Sequence, residues 1–487
     1  MEKLKDYLKQ ITDLQYITNL LDWDLKVSIP KDSIDYVIDL KSKIELKVFE
    51  MTTSNTYGTY LKEVIDSDYF KSLEVYHQKY IKSLYIEYLN NKKIPNDFYE
   101  EYISLCTKTN VIWKEAKEKN DYLMYKPYLK KIVNMTKKYY EYIDNTKNVY
   151  DVMLEQYEIG MTSNIIDSLF NDIKKELIPI VKEYKDNQYR NDYLNDYSDS
   201  ELLECARVIL EYMGFDFNKG SLGIYPHGFM TRIGFDDIRI AFKNTKNPIS
   251  FVSTIVHEGG HSLFEQNIRK ELLEYDNCTV RRLYALHESQ SRFYENILGR
   301  NINFWAPIYD KVKSILRLNL SLDEFIIELN KVDCGLIRTD ADELTYCLHI
   351  IIRYEIEKEL FSGSVTVDEL PSLWNKKMKD YLGVDVLKDS DGLMQDVHWS
   401  EGSFGYFPSY LIGNVYDGMF IKYITDRLGN IDDILKAGRI KDITNLLAEE
   451  IYQYGGAFNS NEIFNRLCNE DVSAKYIIKY YKEKYKK

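Results

Sequence analysis

Along most of the chain, apolar residues recur three and four positions apart. Leu4, Leu8, Ile11, Leu14 and Ile17 form one such run, and Leu202, Ala206, Ile209 and Met213 form another. That spacing lines one face of an α-helix, because side chains at i, i+3 and i+4 stand above one another. Ser198-Asp199-Ser200-Glu201, just ahead of the second run, supplies a capping signal for its start. Only one region departs from helical spacing. From Gly223 to Phe242 the glycines, the Asp236-Asp237 pair and the alternating Ile238, Ile240 and Phe242 predict a small β-hairpin. Such a hairpin either holds a substrate backbone or simply covers the core. No Pro/Gly/Ser-rich linker divides the chain, so residues 1–487 are expected to form a single domain. Within it, residues 1–200 are expected as a helical wall and residues 201–487 as the catalytic part.

Directly after the hairpin, Asn247-Pro248 marks a helix start, since proline is tolerated in a first turn. Ile249, Val252, Ile255, Val256 and Leu263 give that helix a buried stripe. It carries His257-Glu258-Gly259-Gly260-His261, an HExxH motif. Four residues of spacing put both imidazoles on one face, where they can share an ion at about 2.0–2.1 Å. Glu258 is turned roughly 100° away by helix geometry. It is therefore placed to take a proton from water beside the metal rather than to bind the metal itself. The adjacent glycines each cost roughly 0.5–1 kcal/mol in a helix interior. Bare backbone there implies close approach by a neighbouring helix or a substrate.

Composition narrows the function. A net charge of −13 over 487 residues disfavours nucleic acid and anionic membranes as partners, both of which would be repelled. The six cysteines, Cys106, Cys205, Cys278, Cys334, Cys347 and Cys468, form no CxxC pair and read as free thiols of a reducing compartment. The charged N-terminus lacks a signal-peptide core, and no run reaches the roughly 18 apolar residues of a membrane span. A soluble cytoplasmic protein is expected.

A catalytic zinc needs a third protein ligand and an open position. Glu288, in Leu286-His287-Glu288-Ser289-Gln290-Ser291-Arg292, lies 27 residues beyond His261, far enough for a turn and a second helix. His287 is the adjacent competitor, which spacing alone does not exclude.

With these residues in place, the chain resembles the carboxypeptidase Taq family of helical metallocarboxypeptidases along nearly its whole length. The matching segments are Leu20-Leu21-Asp22-Trp23-Asp24 with Ile29-Pro30, the metal helix, and His287 to Arg292. They continue with Ile337-Arg338-Thr339-Asp340-Ala341-Asp342-Glu343, and with Gly392 to Ser400 leading into Gly405-Tyr406-Phe407-Pro408-Ser409-Tyr410. Two departures fall in the hairpin. His227-Gly228-Phe229 stands where the family has His-Pro-Phe, and Asp237-Ile238-Arg239-Ile240-Ala241 where it has Asp-x-Arg-x-Thr. The resemblance implies a mostly α-helical, saddle-like body with a deep groove, commonly a homodimer. It also implies zinc or cobalt (Zn2+ or Co2+) as cofactor, and removal of single residues from peptide C-termini.

A carboxypeptidase must bind a free terminal carboxylate, best done by an arginine fork. Arg338 is the first choice and Arg239 the second, with ion pairs to Asp342 or Asp237 as their structural alternatives. Arg338 is expected to begin a helical stretch after Gly335. Glu258 is the expected general base, and Tyr410, Tyr406 or His398 the donor to the oxyanion. His227, Asp237, Gln395 and Trp399 are expected along the groove, and Asp340 or Asp342 behind a ligand imidazole. A zinc oligoendopeptidase or dipeptidase on a related helical scaffold is the competing reading, because a helix-borne HExxH with a downstream Glu would look the same there. Endopeptidase activity would need no buried arginine for a free carboxylate.

Overall fold

A computed structural model describes residues 1–184, 193–273 and 282–486. The molecule is built mainly of helices around a hydrophobic cluster that runs from Leu4 to Tyr485. The first predicted helix is Glu2–Val27, with Leu4, Leu8 and Ile11 buried, while Ile17 faces outward. The second is Asp199–Met213, opened by a capping box in which Ser198 and Glu201 satisfy each other's backbone amides. Leu202, Ala206, Ile209 and Met213 are all fully buried there.

The predicted hairpin is present, and a third strand joins it. Strands β1 (Gly220–Ile224), β2 (Phe229–Gly234) and β3 (Asp237–Phe242) lie in the order β1-β3-β2. β2 and β3 are antiparallel, whereas β1 runs parallel to β3. The β2–β3 turn contains Asp236 at φ 52°, a left-handed conformation that Asp tolerates better than most residues. Trp23, from the N-terminal signature, packs with Ile233 and Ala241 of the sheet. That segment therefore helps to seal the hairpin.

The helix Pro248–Gln266 begins as predicted, with the Asn247 side chain accepting from the Ile249 and Ser250 amides. Its two glycines are explained by packing. A Cβ on Gly259 would lie 2.7 Å from the Met213 Cε and 2.8 Å from the Leu210 Cδ2. A Cβ on Gly260 would lie 2.5 Å from the Gln290 carbonyl oxygen and 2.7 Å from the Ser291 Cα. Glycine thus lets the helix Tyr284–Arg292 approach at backbone distance. From the other side, Gly413 of the helix Phe407–Leu428 comes equally close, its would-be Cβ 3.1 Å from the Ala285 carbonyl oxygen. Among the described residues no helix is long and apolar enough to cross a membrane. The five described cysteines are free, and Cys278 lies outside the described residues.

Candidate active site

Three ligand atoms converge between the two helices that Gly260 brings together. His257, His261 and Glu288 each offer one atom, and all lie within 4.8 Å of one another. The Glu288 Oε2 is 3.4 Å from the His261 Nε2 and 3.9 Å from the His257 Nε2. Two imidazoles and a carboxylate suit zinc or a similar divalent ion. His287 is turned elsewhere: its Nε2 lies 3.1 Å from the Glu265 Oε1, and its ring stacks on His261 at 4.4 Å.

The surroundings set the charge of each group. The Arg292 Nε donates to the Glu288 Oε1 at 2.8 Å, leaving Oε2 toward the histidines. Burial raises the Glu288 pKa, but Arg292 and the two histidines overcome it and hold the carboxyl well below its usual range. Burial lowers the His257 pKa, yet its bond to Glu295 and the charges of Glu288, Glu295 and Glu258 raise it to about 9. The cluster therefore favours positive charge, as a cation site must. Burial and the neighbouring His287 hold His261 down at about 3, so its ring stays neutral. Burial pushes Glu258 up to about 7, against the pull of His257.

Behind His257 stands a residue that sequence reasoning missed. The His257 Nδ1 is 2.8 Å from the Glu295 Oε2, which orients the ring so that Nε2 faces the cluster. Glu295 lies on the π-helical turn Phe293–Leu298. Its seven-residue spacing from Glu288, two turns on, was a usable signal. Asp342, expected in that role, instead caps the helix Glu343–Ser362 by accepting from the Leu344 and Thr345 amides, and Asp340 is exposed. Asp342 is the better helix cap because it immediately precedes the first turn.

A second cluster forms around Arg338, which sits on the 3-10 turn Arg338–Asp340 rather than in a continuous helix. Its ion-pair partner is Asp396, not Asp342, with Nε and Nη2 both 2.9 Å from Oδ1. Arg353, wholly buried, holds the other oxygen of Asp396 at 2.5 Å. Burial raises the Asp396 pKa, but the two guanidiniums reverse that and drive it far below the carboxylate range. Gln395 braces the same turn: its Oε1 accepts from the Arg338 amide at 2.8 Å, and its Nε2 faces the carbonyls of Leu336, Asp391 and Gly392. With its amide spent on backbone, Gln395 supports Arg338.

The Tyr346 hydroxyl accepts from the Arg338 Nη1 at 3.1 Å, and the same ring carries the Arg292 guanidinium on its face at 3.8 Å. The Tyr410 hydroxyl meets the His398 Nε2 at 3.3 Å, and Tyr406 packs edge-on to Tyr410 at 5.2 Å. The Trp399 Nε1 and the Gly405 amide both donate to the buried Glu357, which fixes the loop bearing His398 and Tyr406. On the sheet, Arg239 and Asp237 form a two-point ion pair at 2.9 and 2.8 Å, so Arg239 is engaged by its neighbour. His227 is exposed beside Gly228, whose would-be Cβ lies 2.5 Å from the Thr254 Cγ2 and 3.3 Å from the Glu258 Oε1.

Comparison with known proteins identifies the family. The family model "Carboxypeptidase Taq (M32) metallopeptidase" matches residues 3–485. Carboxypeptidase 1 of Bacillus subtilis is 35% identical over 99% of this chain and 97% of its own length. Thermostable carboxypeptidase 1 of Thermus thermophilus is 28% identical over 99% of this chain and 98% of its own. Among solved structures, metallocarboxypeptidase 1 of Trypanosoma cruzi superposes with a TM-score of 0.93 at 26% identity, covering 100% of this chain and 99% of that one. With a near-complete family match and relatives aligned from end to end, the chain belongs to the carboxypeptidase Taq (M32) metallopeptidases and is a metallocarboxypeptidase.

Proposed function

We propose that the chain is a zinc-dependent carboxypeptidase that removes single residues from peptide C-termini, with Glu258 as general base. The observation that carries this reading is the pairing of a three-ligand cluster with a buried, net-cationic arginine cluster. One seats a metal and the other an anion, which together distinguish a peptide end from its middle.

His257, His261 and Glu288 would hold the ion, and cobalt fits the same donors. Once bound, the metal supplies Lewis acidity to the attacking water and the scissile carbonyl. Glu258 accepts the proton of that water and returns it to the leaving amine. Arg338 receives the terminal carboxylate through the second hydrogens of Nη1 and Nη2, since Asp396 engages Nε and Nη2 and Tyr346 engages Nη1 with one hydrogen each. Tyr410, with His398 at its hydroxyl and Tyr406 at its ring, donates to the oxyanion. His227 and the Arg239–Asp237 pair line the sheet side of the cleft and meet the peptide upstream of the cut. The same reading takes residues 1–487 as one catalytic body, a cytoplasmic homodimer in which residues 1–200 wall the groove. Light scattering of the purified protein checks the dimer.

Incubating metal-replete protein with a peptide mixture and following masses tests the reaction class. A ladder losing one C-terminal residue at a time is expected from peptides with free carboxylates, and little or none from their amides. Equal cleavage of both would favour an oligoendopeptidase or dipeptidase and sink this proposal.

A further inference from the structure

We propose that Tyr346 is a positioning residue that sets the span between the metal cluster and the carboxylate-binding arginine. The inference rests on the reading of Arg338 given above. Tyr346 lies in the first turn of the helix Glu343–Ser362, whose start Asp342 fixes by capping. Its side chain is almost wholly buried. The ring face holds the Arg292 guanidinium at 3.8 Å, and Arg292 in turn holds the Glu288 Oε1 at 2.8 Å. The hydroxyl, at the far end of the same ring, accepts from the Arg338 Nη1 at 3.1 Å. Tyr410 meets the ring at 84° and 6.3 Å, which limits its tilt.

One flat, rigid group thus touches the third metal ligand through Arg292 and the substrate anchor directly. Ring face and hydroxyl cannot move independently, so the distance between the two ends is set by covalent geometry rather than by rotamers. An exopeptidase needs such a fixed span, because a loose anchor admits cleavage one residue away. The two contacts can be removed one at a time: phenylalanine keeps the face and loses the hydroxyl, while leucine loses both.

The two substitutions separate the two ends. Tyr346→Phe is expected to raise KM for a free-carboxylate dipeptide about tenfold and to change kcat less than about threefold, the effect of one lost hydrogen bond to a charged group. Its zinc affinity, read by competition with a chromophoric chelator, is expected to match wild type. Tyr346→Leu is expected to weaken zinc binding about tenfold as well, through Arg292 and Glu288. Should Tyr346→Leu fail to fold, Arg292→Lys carries the same measurement, because a lysine cannot both lie flat on the ring and hold Glu288. A wild-type KM in Tyr346→Phe, or wild-type zinc affinity in Tyr346→Leu or Arg292→Lys, overturns the inference. Arg338→Gln separates it from the reading beneath. Loss of the preference for free over amidated C-termini supports that reading, and a preference kept intact overturns it along with the part given to Tyr346.

Discussion

The two ends of the site are built from the same residue types in inverted proportion. At the metal end, Glu258, Glu288 and Glu295 surround two histidines, and Arg292 is the nearby cation. At the other end, Arg338 and Arg353 share the single carboxylate of Asp396. The first end is left short of positive charge and the second short of negative charge. Burial makes both deficits costly, so in the proposed reading each end would take a guest of opposite sign. A peptide with a free C-terminus and a bound cation satisfies both at once.

The difference can be broken at either end. The largest effect is expected from Glu258→Gln, which keeps the shape of the metal end and removes its proton acceptor. kcat should fall about 10²–10⁴-fold while zinc affinity holds. Unchanged turnover with zinc bound would end the general-base assignment. At the arginine end, Asp396→Asn leaves two buried guanidiniums facing each other without an acid. Urea unfolding should show a loss of about 3–5 kcal/mol, and a smaller loss than about 1 kcal/mol would mean that solvent already screens the pair. Glu295→Gln tests whether the metal end depends as much on its second layer. Zinc affinity is expected to drop about 10–100-fold, measured by chelator competition, and no change would leave His257 oriented by packing alone.

The smallest effect concerns Glu357, a carboxyl that has three donors but, among the described residues, no paired cation. Burial raises its pKa from 4.5 to about 7. A raised acid stabilises the fold fully below the unfolded pKa and loses that contribution as pH rises through the folded one. The melting-temperature advantage of wild type over Glu357→Gln should therefore shrink between pH 5 and pH 8. An advantage that grows with pH would show the carboxylate to be favoured in its charged form.

The metal end was more legible in the sequence than the arginine end, for a geometric reason. His257 and His261 meet through local helix periodicity, and Glu288 follows 27 residues beyond His261 on the helix Tyr284–Arg292. Arg338 meets Asp396 across 58 residues of chain, so the nearer Asp342 was the natural but mistaken partner to consider. Glu295 stands seven residues beyond Glu288, a spacing the sequence displays, but nothing in the sequence alone pairs it with His257. Tyr346 was hidden among 43 tyrosines, most of which have no trait that separates them in a single sequence. The third strand escaped because Gly220-Ser221-Leu222-Gly223-Ile224 is short and carries two glycines, which strands disfavour, and it becomes a strand only by pairing with β3.

Gly260 and Gly413 grip the helix of Glu288 from opposite sides at main-chain distance. The third ligand is thus carried on a rail whose clearance contains no side chain to rotate aside. Helices packed this closely resist displacement, so the ligand side chains alone must adjust to an ion. An alanine at Gly260 would act as a shim that forces the two ligand-bearing helices apart.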